Sequence, residues 1–210
     1  MKYQKISKYK NYFVLILLIP FAHFCYQILA KDYPEFDTQF VLYLEDKRVW
    51  IFNIFFKTLY QIGGAYITGG IVLIALIVLV YKRFWHEAKT LAFSTLGILI
   101  LVDQILKPLF DRRRPPHPRL VKDLSRDSFP SGHAAGNLVL YFYLSLVLAN
   151  QYPKFTKYIY GLATLIIFLM GFGSVYTKAH WLTDVLAGYV FGYIWLSISL
   201  LVSKHFQKNP

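Results

Sequence analysis

"LAFSTLGILILVDQILKPLFDRRRPP", residues 91–116, decides how the rest of the chain is read. Residues 91–106 are apolar almost throughout, close to the ~20 residues that carry a helix across a bilayer. One acid, Asp103, interrupts the run, and it ends in Lys107, Arg112, Arg113 and Arg114. Charge at the edge of a membrane span costs free energy unless something uses it. The stretch therefore reads as a membrane helix with a cationic mouth, and the question is what the cations hold.

Composition agrees with a membrane chain. Of 210 residues, 56% are hydrophobic and 19% aromatic, and 23 Lys+Arg against 11 Asp+Glu give a formal charge of +12. Soluble domains are markedly less apolar. An oily basic chain meets anionic lipid more naturally than nucleic acid. The lone cysteine, Cys25, excludes an intramolecular disulfide and any multi-cysteine metal site. It sits in an apolar run and reads as a small buried side chain.

Apolar spans are read at about 13–30, 62–81, 89–106, 133–150, 158–176 and 184–203, each near bilayer length. The expected fold is all-α: a polytopic membrane helical bundle of six transmembrane helices, in a single domain over 1–210. The first span follows a basic stretch, residues 1–12, and lacks a small-x-small cleavage site, so it reads as a retained anchor. Residues 31–50 are too charged to cross and read as an interfacial segment on the outer side. Trp50, Trp85 and Trp181 fall at span ends, as an aromatic belt would place them.

Basic residues set the orientation. With both termini cytoplasmic, the inner segments carry Lys2, Lys5, Lys8, Lys10, Lys82, Arg83, Lys89, Lys154, Lys157, Lys204 and Lys208. That is the positive-inside pattern of a multi-pass protein of the cell (inner) membrane. The 107–126 loop breaks the pattern on the extracytoplasmic side, and a rule broken in one place usually marks function.

Three patches fall on that outer side: Lys107 to Pro115, "DSFPSGHAAG" (127–136) and "GSVYTKAHWLTD" (173–184). Pro130 and Ser131 precede a helix, so Ser131 is a natural N-cap. The same helix end also presents N–H groups to an anion. His133 lies in that first turn, where a histidine on its own is more often structural than catalytic. His180 and Asp184 are four apart, which on a helical turn puts them on one face. A carboxylate on one imidazole nitrogen fixes the tautomer and leaves the other nitrogen nucleophilic. Cations, an anion-binding helix end, an oriented histidine and a second histidine suit phosphoryl transfer.

The ordered set Lys107-x6-Arg114-Pro115, Pro130-Ser131-Gly132-His133 and His180-x3-Asp184 resembles the type 2 phosphatidic acid phosphatase superfamily, and six spans in this order fit it over nearly the whole chain. The resemblance implies a membrane lipid phosphatase acting through a phosphohistidine. In it His180 would attack phosphorus and Asp184 would orient His180. His133 would protonate the leaving oxygen and then activate water. Lys107, Arg114, Ser131 and the Gly132 N–H would hold the phosphate oxygens. It implies neither metal nor cofactor. The third motif departs from the family, which opens it with Ser-Arg where this chain has Gly173 and Ser174. Lys178, Arg113 and Arg126 are the candidates to replace that cation.

Softer readings complete the picture. Asp103 is an i,i+4 partner for Lys107. Asn137, one turn after His133, is a candidate to hold its imidazole. Arg112 and Arg113 are candidates to guide a doubly charged head group, or else to meet ordinary lipid headgroups. Gly188 and Gly192 suit close helix packing. His23, His86, His117 and His205 have no evident partner.

The expected substrate is a phosphorylated lipid: undecaprenyl pyrophosphate, phosphatidylglycerophosphate, phosphatidic acid or a lipid A phosphate. The expected partners are that lipid and the surrounding membrane lipids, not nucleic acid. A lipid phosphotransferase with the same intermediate is the nearest alternative. An impaired binder of anionic lipid is the alternative from another class.

Overall fold

The computed structural model describes residues 10–116, 118–122 and 124–208. Most of the basic N-terminus (residues 1–9) and His117 lie outside the described residues. The chain is all-helical: α1 (Lys10–Leu29), α2 (Glu35–Asp46), α3 (Trp50–Ile62), α4 (Ala65–Tyr81), α5 (Trp85–Ile100), α6 (Lys107–Phe110), α7 (Gly132–Gln151), α8 (Thr156–Tyr176) and α9 (Leu182–Lys208). Among the described residues the only extended pairing is an isolated antiparallel bridge between Arg113 and Asp127.

Four stretches are long and apolar enough to cross a membrane: Trp85–Phe110, Gly132–Gln151, Pro153–Tyr176 and Leu182–Gln207. A fifth passes if α3 and α4, bent by 48° at their junction, count as one span. The apolar pattern predicts a second span from residue 62, whereas α3 starts at Trp50 and the helix breaks at Gly63–Gly64. Within residues 31–50, α2 is a helix that buries Asp37, Val41 and Leu44, the i, i+4, i+7 stripe of an amphipathic helix.

α7 is the centre of the bundle and packs on α5, α8 and α9. Its contact with α9 is backbone to backbone. A Cβ on Gly188 would lie 2.6 Å from the Ser131 carbonyl oxygen, and one on Gly192 would lie 2.8 Å from that of Ala135. The two glycines thus serve packing within the bundle, and they bring the start of α9 onto the start of α7. The main apolar core holds Leu91, Ile98 and Val102 with Val139, Leu140 and Tyr143. Cys25 is half-buried against it.

α5 passes into one π-helical stretch, Leu101–Leu106, before α6. Such stretches are rare and frequent at functional sites. This one carries Asp103 and delivers Lys107 to the end of the span. Asp111, with φ of 44°, then closes α6 in the left-handed conformation and turns the chain into the basic run.

Candidate active site

The basic run is extended beside residues 127 and 128: Ser128 N donates to the Arg112 carbonyl at 2.8 Å, and Arg113 bridges Asp127. Extended backbone sends alternate side chains to opposite faces. Arg112 and Arg114 therefore turn inward and are buried, and Arg113 turns outward and is exposed. The three consecutive arginines have different roles because of this alternation.

Arg114 is fixed by four contacts. Its Nε donates to the Ser125 carbonyl and its Nη1 to the Ala179 carbonyl, each at 2.6 Å. Nη2 donates to Ser125 Oγ at 3.0 Å, and Nη1 lies 3.2 Å from His180 Nε2. A guanidinium has no acceptor. Nε2 must therefore present its lone pair, and the ring proton sits on Nδ1. That nitrogen faces Asp184 Oδ2 at 3.4 Å.

His180 is only 1% exposed. Burial holds its imidazole well below the ordinary histidine range, and the nearby Arg114, His133 and Lys107 push the same way. The ring is thus a neutral base with its free lone pair beside a guanidinium. The i,i+4 pair with Asp184 forms by a different route from that expected. α8 ends at Tyr176 and α9 starts only at Leu182, so His180 lies in the turn between them. Asp184 reaches back over that turn, and its Oδ2 also accepts Trp181 N at 2.9 Å.

Ser131 caps α7, accepting Ala134 N at 3.3 Å, and its own N–H donates to the Asp184 carbonyl at 2.9 Å. Lys107 pairs with Asp103, as the spacing suggested. A Cβ on Gly132 would lie 3.8 Å from Lys107 Nζ, so the ammonium stands over the free N–H groups of the first turn of α7. His133 stacks on Tyr60 with ring centroids 4.2 Å apart, and its ring centroid is 6.5 Å from that of His180. Its Nε2 is buried without a hydrogen-bond partner. The structure therefore gathers His180, Asp184, His133, Lys107, Arg114, Ser131 and Gly132 at one end of the bundle. No group of three or more His, Cys, Asp or Glu that could hold a metal occurs among the described residues.

Three expectations change, and the position of the absent arginine turns away from the site. Lys178 does not turn to the imidazoles: the helix stops before it, its φ is 60°, and its buried ammonium binds Glu45 Oε2 of α2 at 2.8 Å. Ser174 does not face the site. Its Oγ bonds back to the Met170 carbonyl, and its own carbonyl accepts Ala179 N and His180 N at 3.0 and 3.1 Å, which shapes the turn carrying the histidine. Asn137 donates to the Gly63 carbonyl at 3.1 Å rather than to His133. Arg112 is buried and committed to two acids. It donates to Asp184 Oδ1 at 2.6 Å and to Asp37 Oδ2 at 2.8 Å. Arg113 remains at the mouth, its carbonyl accepting Trp181 Nε1 at 2.9 Å, and Arg126 pairs with Asp111 at 2.9 Å.

Asp37, Tyr60 and Thr183 were not singled out from the sequence. Asp37 had a signal: it is a carboxylate on the apolar stripe of an amphipathic helix, where an acid needs a buried partner.

Fold and site together define a helical, integral membrane phosphatase of lipid phosphates. The chain belongs to the PAP2 superfamily, whose family model matches residues 88–208. It is 28% identical over 149 residues to phosphatidylglycerophosphatase B of Bacillus subtilis (strain 168), covering 70% of this chain and 72% of that protein. Its fold is that of the first transmembrane PAP2-type phosphatidylglycerolphosphate phosphatase from Bacillus subtilis, with a TM-score of 0.75 at 22% identity over 93% of this chain and 96% of the other. Aquifex aeolicus LpxE superposes with a TM-score of 0.62 at 26% identity, over 78% of this chain and 93% of its own.

Proposed function

We propose that this chain hydrolyses the terminal phosphate of a membrane lipid through a phosphohistidine on His180, with phosphatidylglycerophosphate as the leading substrate. The observation that carries the reading is the pair of contacts on His180: Nε2 lies 3.2 Å from Arg114 Nη1 and Nδ1 lies 3.4 Å from Asp184 Oδ2, which assigns the proton to Nδ1 and the lone pair to Nε2. Nε2 attacks phosphorus, and the bond to the lipid oxygen breaks as His133 gives it a proton. Arg114, Lys107, the Ser131 hydroxyl and the first N–H groups of α7 take the phosphoryl oxygens, where charge builds up in the transition state. His133 then takes a proton from water, which attacks the phosphohistidine and releases phosphate. The two rings, 6.5 Å apart by centroid, stand at a separation that a phosphoryl group and its leaving oxygen can bridge. The choice of substrate rests on the names of the Bacillus relatives and on Arg113 at the mouth, which suits a head group with a second anionic phosphate.

The whole chain works as one membrane unit with six crossings: α1, the bent α3–α4 pair, α5, α7, α8 and α9. Both termini are cytoplasmic and the site faces the extracytoplasmic leaflet, as the basic inner segments favour. The testing experiment offers purified protein phosphatidylglycerophosphate, phosphatidic acid, undecaprenyl pyrophosphate and a lipid A phosphate in mixed micelles, with free phosphate measured. Acid-labile, base-stable labelling of the parent by radiolabelled substrate is expected, and none in His180→Ala. A His180→Ala protein that still turns over would exclude the mechanism.

A further inference from the structure

α2 lies beside the site, and one of its side chains reaches into it. Val41 and Leu44 pack against Val175, Val185 and Ala134, which seats the helix over the starts of α7 and α9. Asp37 shares their stripe, is 1% exposed, and uses both carboxylate oxygens. Oδ1 accepts Thr183 N at 3.0 Å, in the first turn of α9. Oδ2 accepts Arg112 Nη2 at 2.8 Å and the Thr183 hydroxyl. Arg112 spends its other arm on Asp184 Oδ1, whose second oxygen faces His180. The rings of Tyr33 and Trp181 both lie against the guanidinium, their centroids 5.2 and 5.4 Å from its carbon. The result is a buried chain of groups, Asp37–Arg112–Asp184–His180, with one cation between two acids.

A guanidinium with only Asp184 for a partner would draw that carboxylate onto itself in a bidentate fork and off the imidazole. Asp37 occupies half of the fork and pins the turn of α9 that bears Asp184. We propose that Asp37 is a positioning residue for phosphoryl transfer, acting through Arg112 to keep Asp184 on His180. The inference rests on His180 being the nucleophile, and it links α2 to the reacting nitrogen.

The test measures kcat, KM and the pH profile of kcat/KM on phosphatidylglycerophosphate in mixed micelles for the parent, Asp37→Asn, Asp37→Glu and His180→Ala. Asp37 touches no phosphate ligand, so Asp37→Asn is expected to lower kcat by about tenfold or more with KM held within about twofold. The charges around His180 are Asp184 on α9, Arg114 in the basic run, His133 on α7 and Lys107 on α6. Removing one negative charge behind Arg112 makes this setting more positive and disfavours the imidazolium. The acid limb of the Asn variant therefore moves to lower pH, and Asp37→Glu keeps the limb of the parent and recovers part of kcat. A parent-like kcat in Asp37→Asn, a loss carried by KM, or an unmoved acid limb overturns the inference. Should Asp37→Asn not accumulate in membranes, Thr183→Val decides, since it removes the hydroxyl that Asp37 and Arg112 share. A kcat lowered by about threefold or more at constant KM supports the inference, and a parent-like kcat overturns it. An active His180→Ala defeats the nucleophile reading itself; an inactive one beside a parent-like Asp37→Asn defeats the inference alone.

Discussion

α9 has a histidine cluster at each end, and only one has the chemistry of a phosphatase. At its start stand His180 and Asp184. Near its far end Ser203 Oγ lies 2.7 Å from His86 Nε2 and 2.6 Å from Thr90 Oγ1. The two are about 28 Å apart at the helical rise of 1.5 Å per residue. By distance alone the far cluster looks better: its Ser–His contact is shorter than the His180–Asp184 contact of 3.4 Å. The charges around them differ. His180 has a buried guanidinium on its free lone pair and a carboxylate on the other nitrogen. His86 shares neutral hydroxyls, and the basic residues near it in sequence, Lys82, Arg83 and Lys89, are exposed. A hydrogen-bonded histidine becomes a phosphoryl acceptor only where buried cations can receive the charge that develops. The far cluster instead ties α5 to α9.

The largest expected effect tests this contrast directly. His180→Ala should cost several orders of magnitude in kcat, as loss of a nucleophile does. His86→Ala should leave kcat within about threefold and cost roughly 1 kcal/mol of stability, the scale of one hydrogen bond. Phosphate release from detergent-purified variants, with thermal unfolding followed alongside, checks both. The contrast breaks if His86→Ala loses turnover at unchanged stability.

Arg114 ranks next. It meets Ser125, Ala179 and His180 through three separate nitrogens, a fork that an ammonium cannot copy. Arg114→Lys should therefore lower kcat by roughly 10²-fold, on the scale of a lost oxyanion donor. A lysine variant with parent kinetics would show that point charge suffices.

The contrast also has a pH form. Burial, Arg114, His133 and Lys107 all hold the His180 imidazole below its ordinary value. As the proposed nucleophile, His180 must be neutral to attack, so it should stay competent as pH falls through the ordinary histidine value near 6.5 and be lost only below it. The acid limb of kcat/KM, which reports the free enzyme, should lie below that value. A limb at or above it would mean that His180 sits in a wetter, less positive setting.

The sequence made the bundle legible for a physical reason. A bilayer forces backbone hydrogen bonds to close within the segment, so long apolar runs announce α5, α7, α8 and α9. Ser131 was legible as a cap because capping is local, and Asp103–Lys107 because i,i+4 pairs are local. The illegible features depend on contacts distant in sequence. Asp37 and Thr183 are 146 positions apart. Asn137 is claimed by the Gly63 carbonyl, which the α3–α4 break leaves free of its helix. The three arginines separate only because residues 112–114 run extended beside 127 and 128.

Lys178 carries the smallest expected effect on catalysis. Had α8 continued past Tyr176, Lys178 would share a face with Ser174 and reach the place of the absent arginine. The chain instead turns there, and Lys178 takes φ of 60°, a region that costs a side-chain-bearing residue roughly 1–2 kcal/mol. Its ammonium ends on Glu45, which is itself within 3.5 Å of Arg48. The lysine therefore fastens α2 to the turn before His180 and adds no charge to the phosphate. Lys178→Ala should leave kcat/KM within about threefold while lowering stability by roughly 1–3 kcal/mol, the scale of a hydrogen bond to a charged group. Lys178→Gly loses the same ion pair but is freed from the left-handed penalty, so it should unfold at a higher temperature than the Ala variant. Ser174→Arg should recover nothing in either background, because position 174 is enclosed and its side chain points back along α8. Two results would return Lys178 to the phosphate: a tenfold loss of kcat/KM in Lys178→Ala at unchanged stability, or its recovery by Ser174→Arg.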